Sequence, residues 1–330
     1  MKVRVGIIGT GWVTGLHLPA LNKISEVELV AVAGRNVSRA QELAQKYGVK
    51  AYYEDYKAML SKEKLDAVYI LMPPDAHGKV EKDCAKSVPA VLIEKPICNS
   101  IELARKIQKS FEKNKTLVSV GYMNRYRHGI QHAKRLFSAS ENRPVLVNGW
   151  WVFEMPGAPW WRDMSRSGGQ FVEQCTHLVD LARYIVGEIT EVHAFAANGF
   201  IKDYQEHTID DAMTVNVRFA SGAVGNFVTG AFPRNGTDSQ RSIGLTIASM
   251  KLKCEFSDWA MNLNALHGKD HSESIRPEED IFEVQNRAFI KAIIKKDPTL
   301  ILSSYSDAMK SLAVGCAANE SARSGSAVVL

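Results

Sequence analysis

The feature that most constrains this chain is the abrupt stop of its first apolar run. Val3, Val5, Ile7 and Ile8 form a β-branched stretch that ends at Gly9-Thr10-Gly11, and a helix-compatible segment, residues 12–24, comes next. Strand, glycine turn and helix, in that order, open a dinucleotide-binding βαβ unit. Gly9 can make the tight turn, and Gly11 lets the backbone approach a pyrophosphate seated on the helix N-terminus. The third glycine of the strict pattern is missing: Thr14 stands there, and Gly15 comes one residue late. A pattern this imperfect also suits a bare structural turn, so the rest of the chain decides.

Beyond residue 24, apolar strands alternate with helices. Residues 27–33 read as a second apolar strand; Ser38 caps a helix running to Tyr47 and closed by Gly48. Asp55 opens a short helix to Leu60, and residues 66–72 are a third strand stopped by Pro73-Pro74. A helix over 75–87, a strand over 90–94, a helix capped by Ser100 and a strand over 116–121 continue the rhythm. Strands and helices at this spacing predict a doubly wound parallel sheet. Past Gly121 the rhythm changes. One helix, 124–138, precedes β-rich segments at 144–153, 189–197, 211–219, 223–232, 242–248 and 251–256, with hairpin chemistry at Ala220-Ser221-Gly222. The fold class expected is α/β: an N-terminal Rossmann parallel sheet over residues 1–121, then a C-terminal α+β domain over 122–330 with a large open, mostly antiparallel sheet. Two late helices, 278–295 and 304–322, could pack on either domain.

Bulk properties exclude some function classes. A net charge of +5 spread over 330 residues, with no Arg/Lys cluster interleaved with aromatics, argues against nucleic acid. No apolar run approaches the ~20 residues of a membrane span. The chain enters a strand almost at once, so no signal peptide is expected. Five scattered cysteines (Cys84, Cys98, Cys175, Cys254, Cys316) without CxxC spacing suggest reduced thiols. Together these predict a cytoplasmic protein.

Three clusters carry chemistry. At the end of the second strand, where NAD-preferring folds usually place a carboxylate for the ribose, stand Gly34-Arg35-Asn36 and no acid. A guanidinium there can pair with a 2′-phosphate and stack on adenine, which favours NADP over NAD, with Arg35 as main contact and Asn36 or Arg39 helping. A solvated loop charge is the plainer alternative. The second cluster is Glu94-Lys95-Pro96, at the carboxyl end of a buried parallel strand, the edge where ligands of open α/β sheets bind. The third lies just after Gly168-Gly169: Glu173, His177 and Asp180 fall at i, i+4 and i+7 on an otherwise apolar helix. A histidine one turn from a carboxylate suits a general base, though a core histidine satisfied by Asp180 is equally compatible. His128/His132 and His267/His271 have metal-like spacing without a matching carboxylate cluster; they read as solvated residues, and no metal is expected.

In combination these residues resemble the Gfo/Idh/MocA family of oxidoreductases nearly end to end. The marks are Gly6-Ile-Ile-Gly-Thr-Gly11, His17-Leu-Pro19, Met72-Pro-Pro-Asp-Ala-His77, Glu94-Lys-Pro96, Gly121-Tyr-Met-Asn-Arg-Tyr126, Trp161-Arg162, and Gly168-Gly169 with His177-Leu-Val-Asp180. The resemblance implies an NAD(P)-dependent dehydrogenase or reductase. Its substrate would be a sugar, cyclic polyol or related hydroxy/keto compound, and its site a cleft between the domains. The family's Lys–Asp–His set maps onto Lys95, Glu173 and His177, with glutamate here for the usual aspartate and Cys175 for a frequent glycine. It further implies cofactor contacts at Gly9, Thr10, Gly11, Trp12, Val13, Arg35, Asn36, Pro73, His77, Glu94, Lys95 and Arg162. Substrate contacts are expected from Lys95, Tyr122, Arg125, Trp160, Trp161 and His177, and a homodimer or homotetramer is expected. The same resemblance extends to NAD-dependent glycoside hydrolases and to non-catalytic NADP-binding regulators. An intact lysine and histidine argue against the regulator.

Overall fold

The computed structural model describes residues 2–204, 206–234, 240–269 and 271–330, which divide into two compact units. The first comprises residues 1–123 and 279–309, the second 124–278 and 310–330. A single cut after Gly121 therefore misses one feature: residues 279–309 return to the first unit.

In the first unit the strands are β1 (Val3–Ile8), β2 (Val27–Ala33), β3 (Ala51–Tyr53), β4 (Ala67–Ile70), β5 (Ala90–Ile93) and β6 (Leu117–Val120). They form one parallel sheet in the order β3-β2-β1-β4-β5-β6, the doubly wound arrangement of two mononucleotide halves. Between them run α1 (Thr14–Asn22), α2 (Val37–Tyr47), α3 (Tyr56–Lys62), α4 (Lys79–Ser87) and α5 (Ile101–Asn114). The central strands β1, β2, β4 and β5 are buried on both faces, which is why they read as continuous apolar runs rather than alternating ones. α2 starts two residues earlier than a cap at Ser38 predicts. Asn36 is its cap, its side chain accepting from the Arg39 N–H at 3.0 Å, and Gly48 closes it with φ 67°. The returning segment carries a further helix (Ile281–Lys295), whose Phe289 and Ile290 enter the sheet's core. It also completes the hydrogen bonding of β6: the Val120 N–H donates to Ser303 O at 2.9 Å, and Gln285 Nε2 donates to Val120 O at 3.1 Å.

The second unit is built on nine strands: β7 (Leu146–Val152), β8 (Ile189–Ala197), β9 (Ala212–Phe219), β10 (Val224–Gly230), β11 (Ser242–Ala248), β12 (Leu252–Ser257), β13 (Asn262–His267), β14 (His271–Ile275) and β15 (Val328–Val329). Their order is β14-β13-β12-β11-β7-β10-β9-β8-β15, antiparallel throughout except for the parallel β7/β10 pair. Residues alternate between buried and open along β9, as in a sheet with one covered face. That covered face holds the core: Val147, Val215, Phe227 and Leu245 pack with Ile130 of α6 (His128–Phe137) and Leu178 of α8 (Thr176–Val186). A short α7 (Met164–Ser167) precedes α8. The helix at 281–295 is α9, and α10 (Tyr305–Ser324) is the last.

One histidine pair departs from expectation. His132 of α6 and His267 of β13 both reach Glu273 Oε1 of β14, each at 2.9 Å, so a carboxylate does accompany two of the four histidines read as solvated. Among the described residues no group of three side chains could hold a metal ion. The hydrogen bond from His132, then that from His267, holds the Glu273 carboxyl below its ordinary range. A depressed folded-state value means that the stabilisation is present above the unfolded carboxylate range and is lost as pH falls through the lowered value. Because these groups are partly open to solvent, Glu273→Gln is expected to cost no more than about 1 kcal/mol near neutral pH. Melting curves against pH should show that gap closing in acid; a gap that widens in acid would contradict the assignment.

Candidate functional site

The glycine turn occupies the carboxyl edge of β1, at the centre of the first sheet. Gly9 has φ 118°, and a Cβ there would lie 2.0 Å from Leu71 O, so only glycine fits. Its N–H donates to Ala33 O at 2.9 Å, tying the turn to β2. The missing third glycine has a structural account. Thr14 is fully buried, and its Oγ1 donates to Gly9 O at 3.0 Å, pinning the turn from the first residue of α1. A Cβ on Gly11 or Gly15 would meet nothing within 4 Å, so the backbone beside the helix N-terminus is open. This opening, between Thr10, Trp12 and Val13, fits a dinucleotide's pyrophosphate.

Arg35 is exposed in the loop after β2, and Asn36 beside it is committed to capping α2. Arg39 pairs with Glu42 at 2.8 Å. Pro73 lies just past β4. The His77 ring is buried, its Nδ1 facing Glu81 Oε1 at 2.5 Å and its Nε2 facing Met72 O at 3.3 Å. The side chain of His77, expected to contact the cofactor, is thus enclosed between Glu81 of α4 and the backbone of its own loop. Glu94 and Lys95 end β5, with Glu94 buried and Lys95 half-buried, and the Lys95–Pro96 bond is cis. Glu94 Oε2 accepts from the Lys95 N–H at 3.1 Å. Tyr122 is buried just beyond β6.

In the second unit the helix carrying the proposed base is not a plain α-helix. Gly168 and Gly169 both have positive φ, 78° and 84°, and Phe171–Cys175 forms a π-helical turn before α8 begins. Such turns widen a helix, concentrate at functional sites and shift the register of residues across them. The ideal stripe of Glu173, His177 and Asp180 is therefore rephased. Glu173 lies inside the wide turn, 6% exposed. His177, 3% exposed, stacks on Trp151 with centroids 5.7 Å apart and planes 21° apart, and Trp259 meets it edge-on at 6.2 Å. Neither tryptophan was legible as a site residue, because β7 and the turn after β12 approach the helix only through the tertiary fold.

Asp180 binds Arg125 through two hydrogen bonds, Nε to Oδ2 at 2.7 Å and Nη2 to Oδ1 at 2.6 Å, and accepts from Ser311 Oγ at 3.0 Å. Arg125, expected to contact the substrate, is 3% exposed and lies over the Tyr184 ring. Trp160 and Trp161 stack in the turn at Pro159–Arg162, half-buried, with centroids 5.5 Å apart. Arg162 donates to Pro156 O at 2.7 Å and Gly157 O at 2.9 Å and covers Tyr204. The half-buried Arg162, expected to contact the cofactor, thus braces its own loop. Of the cysteines, Cys84 and Cys175 are buried, and burial pushes both thiols up; Cys254 is pushed up to about 12, mainly by burial.

Comparison with known proteins covers both units. A family model described as an oxidoreductase family with an NAD-binding Rossmann fold matches residues 3–122, and a Gfo/Idh/MocA C-terminal domain model matches 131–246. Scyllo-inositol 2-dehydrogenase (NAD(+)) of Bacillus subtilis is 29% identical over 231 residues, 68% of this chain and 66% of that protein. Myo-inositol 2-dehydrogenase of Thermotoga maritima is 30% identical over 231 residues, 68% of this chain and 67% of that one. The matches thus span about two thirds of these relatives' own length. A solved levoglucosan dehydrogenase in complex with NADH and levoglucosan has the same fold, with a TM-score of 0.88 at 20% identity over 100% of this chain and 99% of that one. No described helix is long and apolar enough to cross a membrane. With the N-terminal and C-terminal models matched in order along the sequence, the chain belongs to the Gfo/Idh/MocA family of oxidoreductases.

Proposed function

We propose that this chain is an NAD(P)-dependent dehydrogenase or reductase acting on a CH–OH group of a sugar, a cyclic polyol or a related hydroxy/keto compound. The observation that carries this reading is the pairing of an open glycine turn with Lys95, both at the carboxyl edge of one parallel sheet. The inositol dehydrogenases among its relatives support the substrate class.

Gly9, Thr10, Gly11, Trp12 and Val13 would hold the pyrophosphate, and Pro73, Glu94 and Lys95 would flank the nicotinamide end. The cofactor, when bound, supplies the hydride chemistry. His177 takes the hydroxyl proton of the substrate as general base, held flat against Trp151. Lys95 donates a hydrogen bond to the same oxygen and stabilises the charge that develops there. Glu173 orients the imidazole. Trp160, Trp161 and Tyr122 offer aromatic surface suited to a sugar or inositol ring. A homodimer or homotetramer in the cytoplasm completes the reading.

Arg35 favours NADP. It is exposed at the end of β2 with no acid beside it in the loop, and a guanidinium there suits a 2′-phosphate. Arg35→Asp is expected to weaken NADP binding by about 10-fold or more while leaving NAD within about threefold, because a single charge-assisted contact is worth roughly 1.5–3 kcal/mol. Fluorescence titration with each reduced cofactor checks this; equal effects on both would make Arg35 a bystander. Steady-state assays of hydride transfer to either cofactor over a panel of inositols and aldoses test the activity itself.

A further inference from the structure

The family marks include His17 of α1, to which the site as described gives no task. Its ring is fully buried, which is uncommon for an ionisable side chain without a purpose-built set of partners. Nε2 faces Glu94 Oε1 at 3.1 Å, and Nδ1 faces the Asn286 amide at 3.1 Å. Tyr69 and Phe282 meet the ring edge-on, with centroids 5.5 and 5.1 Å away. Four separate stretches of the first unit therefore meet at one imidazole: the helix after the glycine turn, β4, the end of β5, and α9 of the returning segment.

Counting protons shows what this arrangement does. A neutral imidazole has one N–H and one lone pair. Asn286 Oδ1 faces Nδ1 while Asn286 Nδ2 is buried without a partner, and an amide's two ends are assigned only by such bonding. Turned by half a revolution, Nδ2–H donates to Nδ1, and the ring's own proton sits on Nε2, aimed at Glu94. The ring's acceptor and its donor then each face a matching group, and Asn286 Oδ1 takes the buried place that Nδ2 held. Glu94 passes the constraint on, because its other oxygen accepts the Lys95 N–H at 3.1 Å. Gly121 lies against the carboxylate, where a Cβ would come within 2.5 Å of Glu94 Oε1.

We propose that His17, with its tautomer set by Asn286, is a positioning residue that fixes the Glu94 carboxylate and through it the Lys95 backbone at the end of β5. The inference rests on the proposed roles of Glu94 toward the cofactor and Lys95 toward the substrate. It adds two residues, His17 and Asn286, that touch neither cofactor nor substrate. Misplacing a reacting group by about 1 Å can cost on the order of 100-fold in rate.

The test compares His17→Phe, which keeps the ring's volume and its contacts with Tyr69 and Phe282, with His17→Gln, whose Nε2–H can still reach Glu94. Each is measured for melting temperature, for NADH and NADPH affinity by fluorescence, and for kcat and KM. His17→Phe is expected to bind the reduced cofactor about fivefold more weakly and to lose at least about 10-fold in kcat, with substrate KM within about twofold. His17→Gln should recover most of both losses. A folded His17→Phe with unaltered kcat and cofactor affinity overturns the proposal, as does His17→Gln performing no better than His17→Phe. Should His17→Phe fail to fold, Asn286→Ala, which leaves the imidazole and its aromatic neighbours in place, must show the same two losses in smaller measure; its indifference is equally decisive. If the unaltered protein binds cofactor but oxidises no polyol or sugar, the functional reading falls while the binding arm still decides the role of His17. If it binds no cofactor, both fall.

Discussion

His177→Ala is expected to lower kcat by about 10²–10⁴-fold, the usual worth of a positioned general base. Cofactor affinity should stay within about twofold, because on the proposed reading the glycine turn and the end of β5 carry that binding. The geometry behind this is the enclosure of one imidazole by Trp151 and Trp259 at the start of α8, directly after the π-helical segment that holds Glu173. His177→Gln retains a hydrogen-bonding end but no base, so it should fall nearly as far. Lys95→Met removes the other proposed contact to the reacting oxygen and is expected to act on kcat more than on KM, since charge develops on that oxygen only in the transition state. Pre-steady-state mixing with each variant separates these effects. Loss of binding with unchanged turnover would contradict the roles given to both residues.

The second large effect concerns stability. Asp180→Leu strips the carboxylate from Arg125 and leaves a guanidinium buried without its bidentate partner. Breaking a buried pair on one side costs about 3–5 kcal/mol, because the remaining charge is desolvated and uncompensated. Arg125→Met is expected to be comparably damaging from the other side. The double variant should be clearly more stable than the sum of the single losses predicts, because it removes both charges from the interior. Ser311 and Arg183, which also approach Asp180, will hold part of that loss in place. Denaturant titration followed by circular dichroism measures all three. Strict additivity would mean that Arg125 and Asp180 do not act as a unit.

Much of this architecture could be read from residue order. The βα alternation of the first 121 residues specified the sheet because buried parallel strands are short apolar runs with strong stops at Gly9, Pro73 and Pro96. The strands at 189–197 and 242–248 were legible through their β-rich, alternating character, and their bounds match those observed. β3 escaped notice at three residues, and β13 and β14 because Asn262, Asn264, Ser272 and Ser274 dilute their apolar pattern. Both rely on neighbours for their identity, β13 pairing with β12 and β14 with β13. The return of residues 279–309 was equally hidden, since an amphipathic helix does not declare which core it will fill.

The site divides along the same line. Lys95 and the glycine turn owe their placement to local sequence, and both were visible there. The partners of His177 and Asp180 come from segments far away in the chain, so the pairing of Arg125 with Asp180 and the stacking of Trp151 on His177 emerge only in three dimensions. Thr14 is instructive for the opposite reason. Its departure from the glycine pattern weakened the motif on paper, whereas its buried hydroxyl holds the turn together.

The measurement that bears most directly on the whole account is the absorbance of reduced nicotinamide with the purified protein, NAD and NADP supplied separately, across inositols, aldoses and keto-sugars. The account predicts substrate-dependent change with at least one polyol or sugar, faster with NADP than with NAD, and abolished in Lys95→Met and His177→Ala. Tight cofactor binding with no net change on any of them, in an otherwise folded protein, would contradict it.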